Sequence, residues 1–206
     1  MESVTGNTVI DALLETLQRE RTNGETWSRK YAMLNDRPMV LITGHRRENF
    51  GQGFIDLCSA IRDLALAYPE WDLIYPVHLN PNVQKPVYAI LGGLRNVFLL
   101  EPKDYAPFVW LMSRCDLILT DSGGIQEEGP ALGKPVLVMR NVTERPEAVD
   151  AGTVLLVGTD REQIVSGVER VLLDTDVYQA MSRAHNPYGD GKAAGRIVDV
   201  LTRPLN

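Results

Sequence analysis

The sequence has little cysteine, no excess of basic charge and no long uninterrupted apolar run. Cys58 and Cys115 are its two cysteines. Neither belongs to a CxxC pair or a Cys/His cluster, which excludes a disulfide framework and a zinc site built on such spacing. Both fall on apolar positions of expected helices, so two buried, reduced thiols are expected. The first residues, MESVTGNTVID, show no basic stretch followed by an apolar one and do not read as a secretory leader. No apolar run is long enough for a membrane-spanning helix, so a cytoplasmic protein with no membrane partner is expected. The 21 Lys and Arg against 27 Asp and Glu leave a net charge of −6. That balance argues against a nucleic-acid surface, which needs clustered cations, yet leaves room for a small basic pocket. There is no internal repeat and no low-complexity segment.

What is present suffices for a large core. The chain has 206 residues, 44% of them hydrophobic and 23% charged, an ordinary balance for a globular protein that needs no disulfide or metal. Short apolar runs predict strands over Met39–Gly44, Asp72–Val77, Asn96–Leu100, Asp116–Thr120, Pro135–Met139 and Thr153–Val157. Continuous rather than alternating apolarity is the mark of strands covered on both faces. Helical spacing fills the gaps: Phe54, Leu57, Cys58, Ile61, Leu64 and Ala65; then Phe108, Leu111, Met112 and Cys115; then Ile164, Val168, Val171 and Leu172. Asp160 followed by Gln163 resembles a capping box. Alternating strand and helix imply an α/β fold with a doubly wound, Rossmann-like parallel sheet. Ligands of such sheets sit beyond the carboxyl ends of the strands.

The two ends read differently. Ile10, Leu13, Leu14 and Leu17 predict an amphipathic helix, and RTNGETWSRKYAMLNDRP behind it reads as a polar linker. With Val9, these residues are expected to form an exposed apolar stripe able to drive self-association or exchange of terminal helices. From Asp176 to Leu201 two more helices are expected, broken at HNPYGDG by Pro187, Gly189 and Gly191.

The strongest chemical signal is LILTDSGGIQEEGPALGKPV, residues 117–136. A buried strand ends at Thr120, Asp121-Ser122-Gly123-Gly124 predicts a tight turn, and a helix is expected near Ile125. Free N–H groups at a helix start, with two glycines that permit close approach, form an anion site suited to a diphosphate. The turn is also compatible with a plain connection. Glu127 and Glu128 diverge by about 100° around a helix. One can therefore accept hydrogen bonds from a ribose diol, or both can simply complement the helix dipole. Pro130 is expected to kink or shorten the helix.

A second signal is ITGHRRENFGQGF, residues 42–54, where His45, Arg46 and Arg47 follow a strand end and suit phosphate, though a solvated loop with a His–Glu pair fits as well. YPVHLNPNV places His78 after a strand, with a helix start at Asn80-Pro81; RNVTERPE supplies Arg140, Glu144, Arg145 and Glu147 after the fifth strand. Each alone reads more simply as a salt-bridged loop, and Phe108 as core. These residues by themselves point to a domain that binds a nucleotide diphosphate compound and do not reach a reaction.

TGHRREN, PVHLNPNV, PFVWLM, LTDSGGIQEE, GKPVLVMR, TERPEAV and AHNPYGDG, in this order along essentially the whole chain, resemble the bacterial non-hydrolysing UDP-N-acetylglucosamine 2-epimerases. That resemblance implies the C-terminal half of a GT-B-type enzyme, with two Rossmann-like domains and the substrate between them. It implies the interconversion of UDP-GlcNAc and UDP-ManNAc for cell-surface polysaccharides, through elimination of UDP to 2-acetamidoglucal and its re-addition. It places Phe108 near the uracil, Glu128 on the ribose hydroxyls, and Ser122, Gly123 and Gly124 on the diphosphate. His45, the expected catalytic residue, and Arg145 reach the phosphates. Arg46 and His78 match positions that in some members touch a second, activating UDP-GlcNAc.

The acid/base carboxylates of the family belong to the N-terminal domain, to which no segment here corresponds, so the chain alone is expected to be inactive. The expected organisation is an interdomain helix and linker (1–37), a UDP-binding domain (38–175) and C-terminal helices packing back on the N-terminal domain (176–206). Expected partners are UDP-GlcNAc or UDP, that domain, and a second copy in a homodimer, with no nucleic acid, cofactor or metal. The competing expectation is a non-catalytic UDP-sugar-binding regulatory module.

Overall fold

The computed structural model describes residues 3–34 and 37–202. Six strands, β1 (Met39–Thr43), β2 (Asp72–Pro76), β3 (Val97–Leu100), β4 (Leu117–Thr120), β5 (Val136–Val138) and β6 (Val154–Leu156), form one sheet in the order β3-β2-β1-β4-β5-β6. Every pairing is parallel. The expected doubly wound α/β architecture is thus present, and each strand lies within the run that predicted it. The helices are α1 (Thr8–Thr22), α2 (Gly24–Lys30), α3 (Gln52–Ala67), α4 (Pro81–Leu91), α5 (Tyr105–Arg114), α6 (Gly123–Ala131), α7 (Pro146–Asp150), α8 (Arg161–Leu173), α9 (Thr175–Arg183) and α10 (Ala193–Leu201).

Strand alternation divides the interior in two. Val40 and Ile42 of β1 join Leu73, Tyr75, Leu117 and Leu119 beneath α3, α4 and α8. Met39 and Leu41 join Ile74, Ile118, Val136 and Val138 beneath α5, α6 and α1. Both strand faces are therefore buried, which is why the runs read as continuously apolar. Cys58 and Cys115 are free and buried, and burial pushes each thiol up to about 12. Asp160 caps α8 through the amides of Glu162 and Gln163. Among the described residues no helix is long and apolar enough to cross a membrane.

Three local expectations are corrected. The polar segment after α1 contains α2, because its aromatics outweigh its turn formers. Trp27 donates to the buried carboxylate of Glu20 at 2.7 Å, and Tyr31 stacks on Trp110 at 5.3 Å. Helix α6 starts at Gly123 rather than near Ile125, with Ser122 as its extended N-cap residue. Both glycines therefore sit in the first helical turn, and Pro130 falls in the last. The apolar stripe of α1 is not exposed: Ile10 and Leu13 are fully buried, and Leu14 and Leu17 half-buried.

What covers α1 is α5 on one side and the tail on the other. The Asp11 carboxylate accepts from the amides of Ala193 and Ala194 at 3.1 and 2.9 Å, capping α10, and Asn7 N–H donates to the Tyr188 carbonyl at 2.8 Å. Gly191 makes this closure possible. Its φ of 77° is in the left-handed region, and a Cβ there would lie 2.6 Å from Leu14 Cδ1. The exposed apolar face belongs instead to α10, at Val198, Val200 and Leu201.

A buried α1 makes a direct prediction. Leu13→Ala should lower unfolding free energy by ~2–5 kcal/mol, as for other buried leucines. Val9→Ala, at a position 39% exposed, should change it by less than ~0.5 kcal/mol. Urea unfolding followed by circular dichroism distinguishes the two; equal effects would contradict the packing of α1.

Candidate functional site

Strand order reverses between β1 and β4, which run in register from Val40 with Leu117 to Thr43 with Thr120. The loops that leave them therefore emerge side by side at the switch point of the sheet. The Thr43 and Thr120 hydroxyls meet at 2.5 Å. Beyond them the chain after β4 supplies Asp121, which is wholly buried. Its Oδ2 accepts from the amides of both His45 and Arg46 at 2.8 Å. The Tyr75 hydroxyl donates to the Gly44 carbonyl at 2.8 Å, and a Cβ on Gly44 would stand 3.0 Å from that hydroxyl. The loop carrying His45 is thus fixed by backbone contacts before its side chains act.

The His45 ring lies with Nδ1 3.5 Å from Asp121 Oδ1 and stacks on His78 at 5.3 Å between centroids, 14° from parallel. His78 Nδ1 accepts from the Asn80 amide at 3.1 Å, and Asn80 is the N-cap of α4, as the NPN motif predicted. Both imidazoles border a cavity of about 260 Å³ whose wall also includes Phe108, Ser122, Ile125 and Lys103. Phe108 and Ile125 supply apolar surface, while Lys103 brings a cationic group and His45 an imidazole. The wall contains no carboxylate among the described residues. Phe108 is half-buried and serves core and cavity together.

The start of α6 is open. Ser122 makes no side-chain cap; its own amide donates to Thr120 Oγ1 at 2.9 Å. A Cβ on Gly123 would lie 3.6 Å from the Arg46 guanidinium, and one on Gly124 would meet only Ser122 Oγ, at 4.0 Å. The uncapped first turn leaves N–H groups and the positive end of the dipole free for an anion. Further along, the two glutamates diverge as expected, and each has a partner of its own. Glu128 Oε1 accepts from Tyr105 at 2.6 Å. Burial raises the Glu128 carboxyl above the ordinary range; the Tyr105 bond opposes that and Glu127 adds to it. Glu127 accepts from Arg145 Nε and, at 2.7 Å, from Asn7, the N-cap residue of α1.

Of the residues named from sequence, His45, His78, Phe108 and Ser122 share the cavity wall; Gly123 and Gly124 continue from Ser122 into α6. Glu128 and Arg145 lie outside the wall, Glu128 on Tyr105 and Arg145 on Glu127. Arg46 stands over Gly123, 3.7 Å from Glu144, while His78 lines the cavity. Glu144 in turn binds buried Arg140, whose hydrogen bond holds that carboxyl below the usual carboxylate range. Arg140 also takes Glu48 at 2.8 Å. Three residues escaped sequence reading: Asp121, Tyr105 and Lys103. The signal for Asp121 was present, an acid directly at the end of a buried strand. Lys103 lies just before α5 and Tyr105 is that helix's first residue, with no sequence pattern to mark either.

The sequence profile of the UDP-N-acetylglucosamine 2-epimerase family matches residues 3–202. The UDP-N-acetylglucosamine 2-epimerase of Escherichia coli (strain K12) is 57% identical over 202 residues, covering 96% of this chain and 54% of that protein. The crystal structure of UDP-GlcNAc 2-epimerase from Neisseria meningitidis bound to UDP-GlcNAc superposes with a TM-score of 0.92 at 47% identity, covering 96% of this chain and 54% of that one. A glycosyltransferase from Rickettsia africae shares the fold alone, with a TM-score of 0.62 at 16% identity over 87% of this chain and 52% of that one. The architecture is that of one half of a GT-B-type enzyme, and the chain spans about half the length of the relatives it matches. The chain belongs to the UDP-N-acetylglucosamine 2-epimerase family.

Proposed function

We propose that this chain is the UDP-binding half of an enzyme that interconverts UDP-GlcNAc and UDP-ManNAc. The observation that carries the reading is the cavity at the switch point, where the uncapped start of α6 meets His45 on one side and Phe108 on the other. Phe108 offers a face for the uracil. The hydroxyl of Ser122 and the amides of Gly123 and Gly124 receive the diphosphate. Glu128 accepts from the ribose hydroxyls, sharing or displacing the bond from Tyr105. His45 reaches the phosphates from its loop, and Arg145 does so by releasing Glu127.

The reaction asks two things of the protein. UDP leaves C1 with the electron pair of the C1–O bond as the C2 proton departs, giving 2-acetamidoglucal; it returns to C1 as a proton is delivered to the opposite face of C2. Cations and oriented amides stabilise the charge that develops on departing UDP and keep it in place for return. The proton transfers need a group within hydrogen-bond reach of C2. The absence of any carboxylate on the described cavity wall supports assigning that work to the half of the full-length enzymes outside the matched region. We place the exposed Val198, Val200 and Leu201 of α10 against that half. In this arrangement residues 1–37 and 176–206 form the junction and 38–175 the nucleotide domain.

Two measurements test the reading. Calorimetry should show UDP bound by the chain alone, weakly, with Ser122→Ala and Glu128→Ala each losing ~1 kcal/mol or more, the usual cost of a hydrogen bond to a charged or buried group. Undiminished binding by both variants would place the nucleotide elsewhere.

The second is deuterium incorporation at C2 of UDP-GlcNAc in heavy water. The chain alone should give none, and addition of the N-terminal half of a full-length relative should restore it. Incorporation by the chain alone that depends on His45 would overturn the assignment of proton transfer to the other half. Binding without restoration would favour a non-catalytic UDP-sugar module.

A further inference from the structure

Asp121 has one unanswered oxygen. Its Oδ2 is taken by two backbone amides, but Oδ1, equally buried, has no hydrogen-bond partner. A buried carboxylate oxygen without a donor is costly, and such a group calls for an explanation. The polar atom facing it is His45 Nδ1, at 3.5 Å. Tyr75, whose hydroxyl also lies in this region, is already committed to the Gly44 carbonyl. The gap is long for a hydrogen bond, and separations of this kind in unliganded sites shorten when a ligand engages the ring.

We propose that Asp121 is a positioning residue for His45, holding the imidazole proton on Nδ1 so that Nε2 is the nitrogen presented to the diphosphate. The inference rests on the reading that His45 meets the phosphates. With Nδ1–H directed at Asp121, Nε2 lies on the opposite side of the ring and carries a lone pair. A second proton, taken from solvent, enters there and makes Nε2 a donor aimed at a phosphoryl oxygen. The ring plane is set independently by the stack on His78. His78 itself carries the opposite tautomer, because its Nδ1 accepts from the Asn80 amide and its proton must reside on Nε2. Stacked imidazoles with opposite tautomers divide the work: His45 is the proton-accepting donor, and His78 is the wall that holds it flat.

Nitrogen spectra of the imidazoles decide the matter, since the chain has three histidines and single His→Gln variants assign them. At a pH where the rings are neutral, His45 should carry its proton on Nδ1, against the preference of imidazole in water, and His78 on Nε2. In Asp121→Asn the amide oxygen can keep both backbone bonds while the NH₂ group faces His45 Nδ1. The His45 proton should then move to Nε2, with His78 unchanged. A role confined to holding the loop would leave the tautomer alone.

UDP binding by calorimetry supplies the second arm. Asp121→Asn should weaken it by about tenfold or more, the scale of one charge-assisted hydrogen bond. The same substitution in a His45→Gln background should add nothing further. Should the asparagine variant fail to fold, the wild-type spectrum still decides, because an Nε2–H tautomer at His45 overturns the proposal. Equal losses of UDP binding in the two backgrounds also overturn it. If the tautomers are as stated and switch with Asp121→Asn, but His45→Gln binds UDP like the parent, the pairing stands. In that event it is the contact of His45 with phosphate that fails.

Discussion

The pairing of β1 with β4 is the contact on which the candidate site depends. Strands distant in sequence and adjacent in the sheet send their following loops out together, and the hydroxyls of Thr43 and Thr120 close the last rung. Asp121 then extends the tie past the sheet by collecting the amides of His45 and Arg46. One buried carboxylate thereby sets the position of a cationic loop relative to the start of α6. Loops usually carry function at the cost of mobility; here the loop is anchored at its base by the residue directly before the N-cap of α6.

The distribution of charge around this tie is selective. Arg140 is neutralised by Glu48 and Glu144, and Arg145 by Glu127. His45 and Lys103 are left to face the cavity, whose described wall has no acid. An overall excess of acidic residues therefore coexists with a locally positive concavity, which is where a low-dielectric wall makes a cation most effective toward phosphate. Glu127 also connects the site to the chain ends, through Asn7 and through Asn186, which donates to the Glu127 carbonyl at 3.3 Å. The first turn of α1 and the loop before α10 thus lean on the helix that offers its N-terminus to the ligand.

Much of the fold was legible in the sequence. Strands covered on both faces must be apolar throughout, and the six runs stand out against polar surroundings for that reason. The break at HNPYGDG, the caps at Asn80 and Asp160 and the reduced cysteines were readable because each depends on neighbours within a few residues. Helix α2 was not, since its stability comes from Trp27 reaching Glu20 and Tyr31 reaching Trp110 rather than from its own composition. The stripe of α1 was identified correctly as apolar and assigned wrongly as exposed. A pattern of apolar positions reveals that a face is to be covered and is silent on what covers it.

The site divides along the same line. The order of motifs determined the family, and local chemistry determined that a helix carrying two acids would follow β4; that Gly123 and Gly124 belong to its first turn rather than to a turn before it was not legible. Tertiary structure alone decided which of the scattered residues meet. It put His45 on His78, placed Arg46 over Gly123, and gave Glu127 and Glu128 separate partners. It also turned Asp121 from an apparent turn residue into the anchor of the histidine loop. The physical reason is that backbone propensity and capping act over one or two turns of chain. Hydrogen bonds between residues some 75 positions apart exist only once the sheet has set strands β1 and β4 side by side.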